Sequence, residues 1–199
     1  MEKKETNTKR TREIKAVVFL AMAIFLLLCL VSYHPQDPSF THFVAGGQAN
    51  HNFTGKVGSY TADSLIRLLG FASFLLPVFL FVCSFQYFFR PEFTVTKSRS
   101  VGFLFFVLSF TGIMALLISG GINIYGESLK NGAGGLIGVS LVGLLRLYFN
   151  AAGTYIILFL IFVVALTFMI EFSIVSVTER FSKSGAAFLV RCKERVSSF

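Results

Sequence analysis

Three features of this chain of 199 residues could take part in chemistry: histidines in one polar stretch, an acidic and a basic residue at helical spacing, and a glycine-rich segment. The histidines are His34, His42 and His51. Histidine is a common zinc ligand, but no two of these have the short helical spacing of a recognisable site, nor its adjacent cysteine or carboxylate set. We therefore expect solvated histidines and no bound metal.

Asp63 and Arg67 form the second candidate, because residues four positions apart share one face of a helix and can pair. Charged residues inside a membrane are costly and often functional, so a proton relay is one interpretation. The sequence favours a simpler one, in which both side chains lie near the membrane boundary and extend towards the lipid headgroups.

The third candidate is the segment 132–149, which is rich in glycine at its start. A glycine-rich segment that enters and leaves the membrane on one side could line a pore, so a small transporter or channel subunit is the alternative function. Such proteins usually carry facing ionisable residues deep in several spans, and this sequence has none there. The spans also lack a paired acid, base or nucleophile, so we expect no enzyme and no cofactor.

Four long apolar stretches must position these residues. The chain is 54% hydrophobic and 14% charged, with a mean hydropathy of +0.72, whereas soluble domains have roughly 25% charged residues. A helix needs about 20 apolar residues to cross a hydrocarbon core of roughly 30 Å. The sequence therefore predicts an all-α polytopic membrane protein, with a domain over 16–177 and four transmembrane helices at about 16–33, 62–89, 101–119 and 153–175.

The distribution of Lys and Arg predicts the orientation, because short loops on the cytoplasmic side carry excess positive charge. Of the 18 basic residues, six precede the first span, three lie between the second and third, and five follow the fourth. We therefore expect both termini in the cytoplasm, with 1–15 as a basic tail and 178–199 as an amphipathic segment or the start of a linker. Because these basic residues lie beside the ends of the membrane spans, orientation and contact with lipid headgroups account for the net charge of +8, and DNA binding by this chain is not needed to explain it.

Local signals refine the second helix. We expect it to begin near Tyr60, with Ser59 or Thr61 as its cap, and to be kinked at Pro77, which removes a backbone donor.

Small residues suggest how the later helices pack. The third helix has a stripe of them at intervals of three and four, suited to close packing within the chain or between subunits: Ser109, Gly112, Ala115 and Ser119. Gly134 and Gly138 form a GxxxG pair in the segment 132–149. That segment is too short to cross, so we expect a short re-entrant or interfacial helix before the fourth span.

Three blocks of sequence carry a family resemblance. The first, Ser32 to Phe40, has the pattern aromatic, Pro-x-Asp-Pro-Ser, aromatic; the second, Asn52 to Asp63, is followed by Gly70 and Pro77; the third, Gly134 to Gly138, is followed by Gly153. In this order, and over roughly residues 14–180, they resemble the N-terminal four-helix membrane domain of the FtsK/SpoIIIE family of bacterial DNA translocases.

The resemblance implies a membrane-anchoring and protein-interaction domain that targets a DNA-translocating motor to the division septum, in cell division and chromosome segregation. The partners it implies are the lipid bilayer, membrane proteins of the division machinery and further copies of the chain, which would form a hexamer. The location it implies is the bacterial cytoplasmic (inner) membrane, with multiple passes and enrichment at the septum.

The motor itself is not encoded in this sequence. A phosphate-binding loop needs G-x-x-x-x-G-K-[ST], and the only Gly-Lys pair, Gly55-Lys56, is followed by Val57, with Asn50 in place of the first glycine. We therefore expect ATP and magnesium only in a downstream motor, and DNA contact only through that absent motor domain.

Ten residues are predicted to have structural or packing roles. They are the turn, helix and close-packing residues Pro35, Asp37, Pro38, Gly58, Asp63, Arg67, Pro77, Gly112, Gly134 and Gly138.

Overall fold

The computed structural model describes residues 2–40, 50–90, 93–118, 122–124, 127–129 and 132–170. Four of its helical stretches are long and apolar enough to cross a membrane: Lys9–Val31, Gly55–Phe89, Lys97–Leu117 and Gly135–Met169. The predicted all-α membrane fold is therefore confirmed. His42, Ser119, the end of the fourth predicted span and the segment 178–199 lie outside the described residues.

The helices follow the apolar stretches but differ from the predicted bounds. In chain order they are α1 (Glu2–Val31), α2 (Gly55–Leu69), a 3₁₀ segment (Gly70–Phe74), α3 (Leu75–Phe89), α4 (Lys97–Leu117) and α5 (Gly135–Ile170). The helix of the first span thus extends back through most of the segment expected to be a tail. A short antiparallel hairpin, β1 (Ile122–Ile124) and β2 (Glu127–Leu129), was not predicted.

The second span is interrupted earlier than the sequence suggested. Gly70 has a φ of 61° and begins the 3₁₀ segment, whereas Pro77 is the third residue of α3. Proline is tolerated in the first turn of a helix because its missing N–H would have no partner there. The break in the second span therefore begins at Gly70, seven residues before Pro77, and not at the proline where the sequence predicted a kink.

α1 packs along both halves of the second span. Near its end, Cys29 and Leu30 share a buried cluster with Ala62 and Ile66 of α2. Near its middle, the hydroxyl of Ser84 in α3 donates to the carbonyl of Ala16 at 2.8 Å. These contacts run in opposite sequence directions, so α1 is antiparallel to α2 and α3.

α5 is two helices joined at Asn150, whose φ of 56° and ψ of −177° break the helical path. The second half is antiparallel to α4: Tyr155 lies near Leu116, and Phe162 packs on Phe106 with ring centroids 5.0 Å apart. Asn150 therefore lies beyond the end of α4, and the chain passes through it into the fourth span.

The first half of α5 begins inside the bundle rather than at its edge. A side chain added at Gly138 would meet the carbonyl of Thr111. Thr111 precedes the end of α4 by roughly 9 Å, at about 1.5 Å of rise per residue. This half runs from that level of α4 out to Asn150, and its start is enclosed by other helices, which favours the re-entrant form of the prediction over the interfacial one; we call residues 135–149 the re-entrant helix.

Candidate functional site

A buried polar cluster joins the end of α1 to the start of α2. We call it the α1–α2 hub, and it consists of Tyr33, Asp37, Asn52, Thr54, Ser59, Asp63 and Arg67. Polar groups buried in an apolar bundle must find partners, because an unpaired one costs about 1–3 kcal/mol. The bonds made by the hub therefore determine how the loop between the two helices is held.

Asp37 holds the two ends of that loop together. A turn precedes it, in which the N–H of Asp37 donates to the carbonyl of His34 at 3.1 Å, and Pro35 occupies the position where a fixed φ favours such a turn. The carboxylate is only 2% exposed. It accepts the backbone N–H of His51 at Oδ1 and that of Asn52 at Oδ2, both at 2.9 Å.

Pro38 and Ser59 extend the same connection to α2. The hydroxyl of Ser59 donates to the carbonyl of Pro38 at 2.9 Å, or to that of Lys56 within its own helix at 3.0 Å. The side-chain amide of Asn50 donates to the same hydroxyl at 3.2 Å. Ser59 is thus an internal residue of α2 that fixes the loop, not the predicted cap.

Asn52 caps α1 from a distance in sequence. Its side-chain N–H₂ donates to the carbonyls of Cys29 at 2.9 Å and Ser32 at 3.3 Å, groups that have no partner within the helix end itself. Its Oδ1 accepts the N–H of Thr54 at 3.1 Å and the hydroxyl of Thr54 at 2.7 Å. A Cβ at Gly58 would collide with these Asn52 and Thr54 side-chain oxygens, which explains glycine at that position.

These bonds move the start of α2 away from the predicted position. The helix begins at Gly55, after Thr54, rather than near Tyr60. Asp63 therefore lies in the third turn of α2 and not in its first turn.

Asp63 and Arg67 pair as their spacing predicts. Nε of Arg67 donates to Oδ1 of Asp63 at 2.7 Å, and the hydroxyl of Tyr33 donates to the same oxygen at 3.1 Å. Asp63 is only 3% exposed, so the expectation that it extends to the lipid headgroups is wrong. The side chain is instead retained in the bundle because two donors, one of them charged, stabilise the carboxylate.

The loop also brings two histidines to Asp37. Nδ1 of His51 lies 2.9 Å from Oδ1 of Asp37, and the rings of His34 and His51 have centroids 4.7 Å apart. One ligand-type atom from each of the three side chains lies within 4.8 Å of the other two. His51 is solvated as expected, with 61% of its side chain exposed, but the sequence did not predict that it lies in one cluster with His34 and Asp37.

A second close approach occurs where the re-entrant helix begins. The N–H of Phe71 donates to the carbonyl of Ala133 at 2.9 Å, and a Cβ at Gly70 would overlap that carbonyl. Gly135, with a φ of 63°, faces the backbone of Leu68 and Gly70 in turn. The backbone at the break in the second span thus directly contacts the backbone at the start of α5.

The small residues of α4 receive both halves of α5. A Cβ at Gly134 would meet the carbonyl of Thr111 and the methyl of Ala115, and one at Gly112 would meet Leu158 at 3.0 Å. Ser109 is fully enclosed as well. The described part of the predicted stripe therefore packs within the chain, one of the two alternatives that the sequence left open.

Comparison with known proteins assigns this architecture to a protein family. The family model described as the 4TM region of DNA translocase FtsK/SpoIIIE matches residues 8–182. The chain belongs to this family. The match covers all four apolar helices, together with the α1–α2 hub and the re-entrant segment, and confirms the resemblance seen in the sequence.

Individual FtsK proteins show the same relationship. The chain is 27% identical over 159 residues to a DNA translocase FtsK of Shewanella oneidensis, covering 77% of this chain and 17% of that protein. It is 28% identical over 170 residues to one of Pseudomonas putida (82% and 20%) and 30% identical over 145 residues to one of Azospirillum brasilense (72% and 22%). The chain thus spans about a fifth of the length of these relatives. No solved structure matches it.

Several residues of this FtsK/SpoIIIE membrane region were not among the predicted site residues. Tyr33, Asn52 and Ser59 hold the hub, while Gly70 and Ala133 form the contact at the re-entrant helix. A glycine seven positions before Pro77 in a 35-residue apolar helix was a usable signal for the break. Nothing local in the sequence indicates which backbone Gly70 meets.

Proposed function

We propose that this chain is the membrane-anchoring and protein-interaction domain of a DNA translocase that acts in cell division and chromosome segregation, and that it targets the motor to the division septum. The observation that carries the proposal is the family match over 175 residues, 8–182, which includes the four helices that could cross a membrane in the described part of the chain. FtsK relatives are named DNA translocases, and the motor is a cytoplasmic partner in this proposal.

The contacts of the bundle support an anchor. The hub fixes α1 to α2 through buried hydrogen bonds, and the tip of the re-entrant helix meets α2, the 3₁₀ segment and α4 at distances that allow no added Cβ. A glycine-rich segment that lines a pore would face an open path, whereas Gly134, Gly135 and Gly138 at its start face backbone or small side chains, while Gly143 further along faces open space. The transporter interpretation therefore gains no support from these residues.

Localisation tests the targeting role. The chain fused to a fluorescent protein is expressed at low level in a dividing bacterium whose own translocase membrane domain is depleted. We expect a band at midcell that appears with constriction. A fusion of similar size built on an unrelated four-span membrane protein controls for the doubled membrane at the septum, and a signal no more enriched than that control contradicts the proposal.

We also propose that copies of the chain associate in the membrane, as hexamers by family resemblance. The second half of α5 offers an apolar surface for this contact, with Ile156 69% exposed while Leu158, two positions on, is fully buried against α4. Exposed apolar side chains in a membrane helix contact either lipid or another helix.

Photocrosslinking separates these two possibilities. A photoreactive amino acid in place of Ile156 should capture a second copy of the chain in native membranes, and the same replacement at Phe159, which is also exposed, broadens the search. Replacement of Leu158 is the matched control and should give no intermolecular product. Only monomers at both exposed positions, with monomers by native mass spectrometry, would contradict self-association.

A further inference from the structure

The loop between α1 and α2 brings together two imidazoles and a carboxylate that the anchoring function does not use. We propose that His34, Asp37 and His51 form a binding site for one divalent transition-metal ion of the zinc type. The ligand atoms of the three side chains all lie within 4.8 Å of one another. The proposal concerns the loop alone and does not depend on targeting to the septum.

The donor set selects the class of metal. Imidazole nitrogens suit zinc, copper, nickel and iron, whereas calcium and magnesium prefer oxygen ligands only. Zinc binds histidine nitrogen and carboxylate oxygen at about 2.0–2.2 Å in a tetrahedral arrangement, which places neighbouring ligand atoms roughly 3.3 Å apart. Three protein ligands leave the fourth position for water or for a further ligand.

One pair is already close to that spacing. Nδ1 of His51 lies 2.9 Å from Oδ1 of Asp37, so an ion entering between them replaces their mutual hydrogen bond after a small separation. His34 must move closer, by roughly 1.5 Å at most from the 4.8 Å limit to the tetrahedral spacing. The side chain of His51 is 61% exposed, and that freedom allows the rings to adjust without moving the backbone.

The carboxylate is prepared by its surroundings. Asp37 is buried, and the N–H groups of His51 and Asn52 fix its two oxygens at 2.9 Å. Outer hydrogen bonds of this kind orient a metal ligand, and removing them lowers metal affinity by about 10–100-fold in known sites. The turn at Pro35 sets His34 and Asp37 at a fixed separation, because the N–H of Asp37 bonds to the carbonyl of His34.

Hydrogen bonds hold the three side chains in this arrangement before any ion enters. The contact between His51 and Asp37 satisfies both of those groups, and Nδ1 of His34 accepts the backbone N–H of Gln36 at 3.4 Å. The rings of His34 and His51 are thereby kept with their centroids 4.7 Å apart. Two imidazoles beside one carboxylate are the donors of a three-ligand site. An ion bound there would join the end of α1 to the start of α2 through side chains from both sides of the segment 41–49.

Metal titration tests the site directly. The chain is purified in detergent with an affinity tag free of histidine, treated with a chelator and titrated with Zn²⁺ by calorimetry and with Co²⁺ by visible absorption. We expect one ion per chain and the intense absorption of four-coordinate Co²⁺. His34→Ala and His51→Ala should each weaken Zn²⁺ binding at least about tenfold.

Matched controls keep the result interpretable. Gln36→Ala changes an exposed side chain in the same turn and should bind Zn²⁺ as the unmodified chain does. Circular dichroism before titration establishes that the histidine variants are folded. Zn²⁺ affinity that is unchanged in the double variant His34→Ala, His51→Ala, or no stoichiometric binding to the unmodified chain, overturns the proposal and leaves a hydrogen-bonded loop. Because the readout is metal affinity, loss of septal targeting does not affect it.

Discussion

The hydroxyl of Tyr33 donates to Oδ1 of Asp63 at 3.1 Å and so connects the second residue after α1 to the third turn of α2. The same oxygen accepts Nε of Arg67 at 2.7 Å. Asp63 therefore receives one donor from the loop after α1, Tyr33, and one from its own helix, Arg67. Substitution of each residue separates the contributions of these two donors to stability.

Tyr33→Phe should destabilise the chain by about 1–2 kcal/mol, because it removes one hydrogen bond to a charged acceptor and leaves Asp63 paired with Arg67. The free energy of unfolding is measured by circular dichroism during titration of the detergent-solubilised chain with a denaturing detergent. Tyr148→Phe is the control, since that side chain is 78% exposed, and it should change little. Equal effects of the two substitutions would contradict the role of the Tyr33 hydroxyl.

Asp63→Asn should have the larger effect, about 2–4 kcal/mol. The substitution keeps the volume of the side chain but leaves the guanidinium of Arg67 without its carboxylate. Most of the loss in stability comes from that remaining charge, which no longer has an opposite charge beside it. The figure is set below that of a fully buried pair because Arg67 is 36% exposed and can reach solvent or headgroups. The double variant Asp63→Asn, Arg67→Gln should recover part of the loss, and a double variant worse than the sum of the two single ones would contradict the pairing.

Gly138→Ala should destabilise the chain by about 1–3 kcal/mol, because the new methyl group would overlap the carbonyl of Thr111 on α4. Gly143→Ala is the matched control on the same helix, since nothing lies within 4 Å of a Cβ there. Alanine is the better helix former by roughly 1 kcal/mol, so this control should be neutral or stabilising. The same unfolding titration gives both values, and similar signs would argue against close packing of the re-entrant helix.

The spans were predictable because length and hydrophobicity are properties of contiguous residues. The pairing of Asp63 with Arg67 was predictable for the same reason, as the helix itself fixes their spacing. Predictions from local patterns nevertheless failed where the effect of a residue depends on its position within a helix, because the helix bounds were not known from the sequence. Pro77 indicated a kink, yet it lies in the first turn of α3, where proline does not disturb the helix.

Contacts between segments that are distant along the chain could not be predicted from the sequence. The closeness of His34 and His51 depends on Asp37, which accepts two backbone N–H groups 14 and 15 residues away. The identity of the backbone opposite Gly70 likewise depends on the entry of α5. Spacing along the chain carries no information about either, because both result from how the loops return to the bundle.

Gly70→Ala should be more destabilising than Gly55→Ala, because backbone strain and close approach act together at Gly70. Gly55 and Gly70 have φ values of 70° and 61°, but only Gly70 faces another segment, while nothing lies within 4 Å of a Cβ at Gly55. Gly55→Ala should therefore show the left-handed penalty alone, about 1–2 kcal/mol. Gly70→Ala should cost more for two reasons: its ψ of −135° lies outside the left-handed helical region that alanine can adopt, and displacing the carbonyl of Ala133 adds about 1–3 kcal/mol. Equal losses would mean that the 3₁₀ segment tolerates a methyl group at this contact.

Thiol labelling of intact cells tests the orientation predicted from basic charge. In a chain whose native cysteines are replaced, Phe53→Cys lies in the loop before α2 and Ser98→Cys in the first turn of α4, both at exposed positions. The charge distribution predicts that Phe53 lies on the outer side of the membrane and Ser98 on the cytoplasmic side. A maleimide that does not cross membranes should therefore label Phe53→Cys in spheroplasts, and Ser98→Cys only after permeabilisation. The reverse pattern would invert the topology, and with it the side of the membrane on which the α1–α2 hub and a DNA-translocating motor would lie.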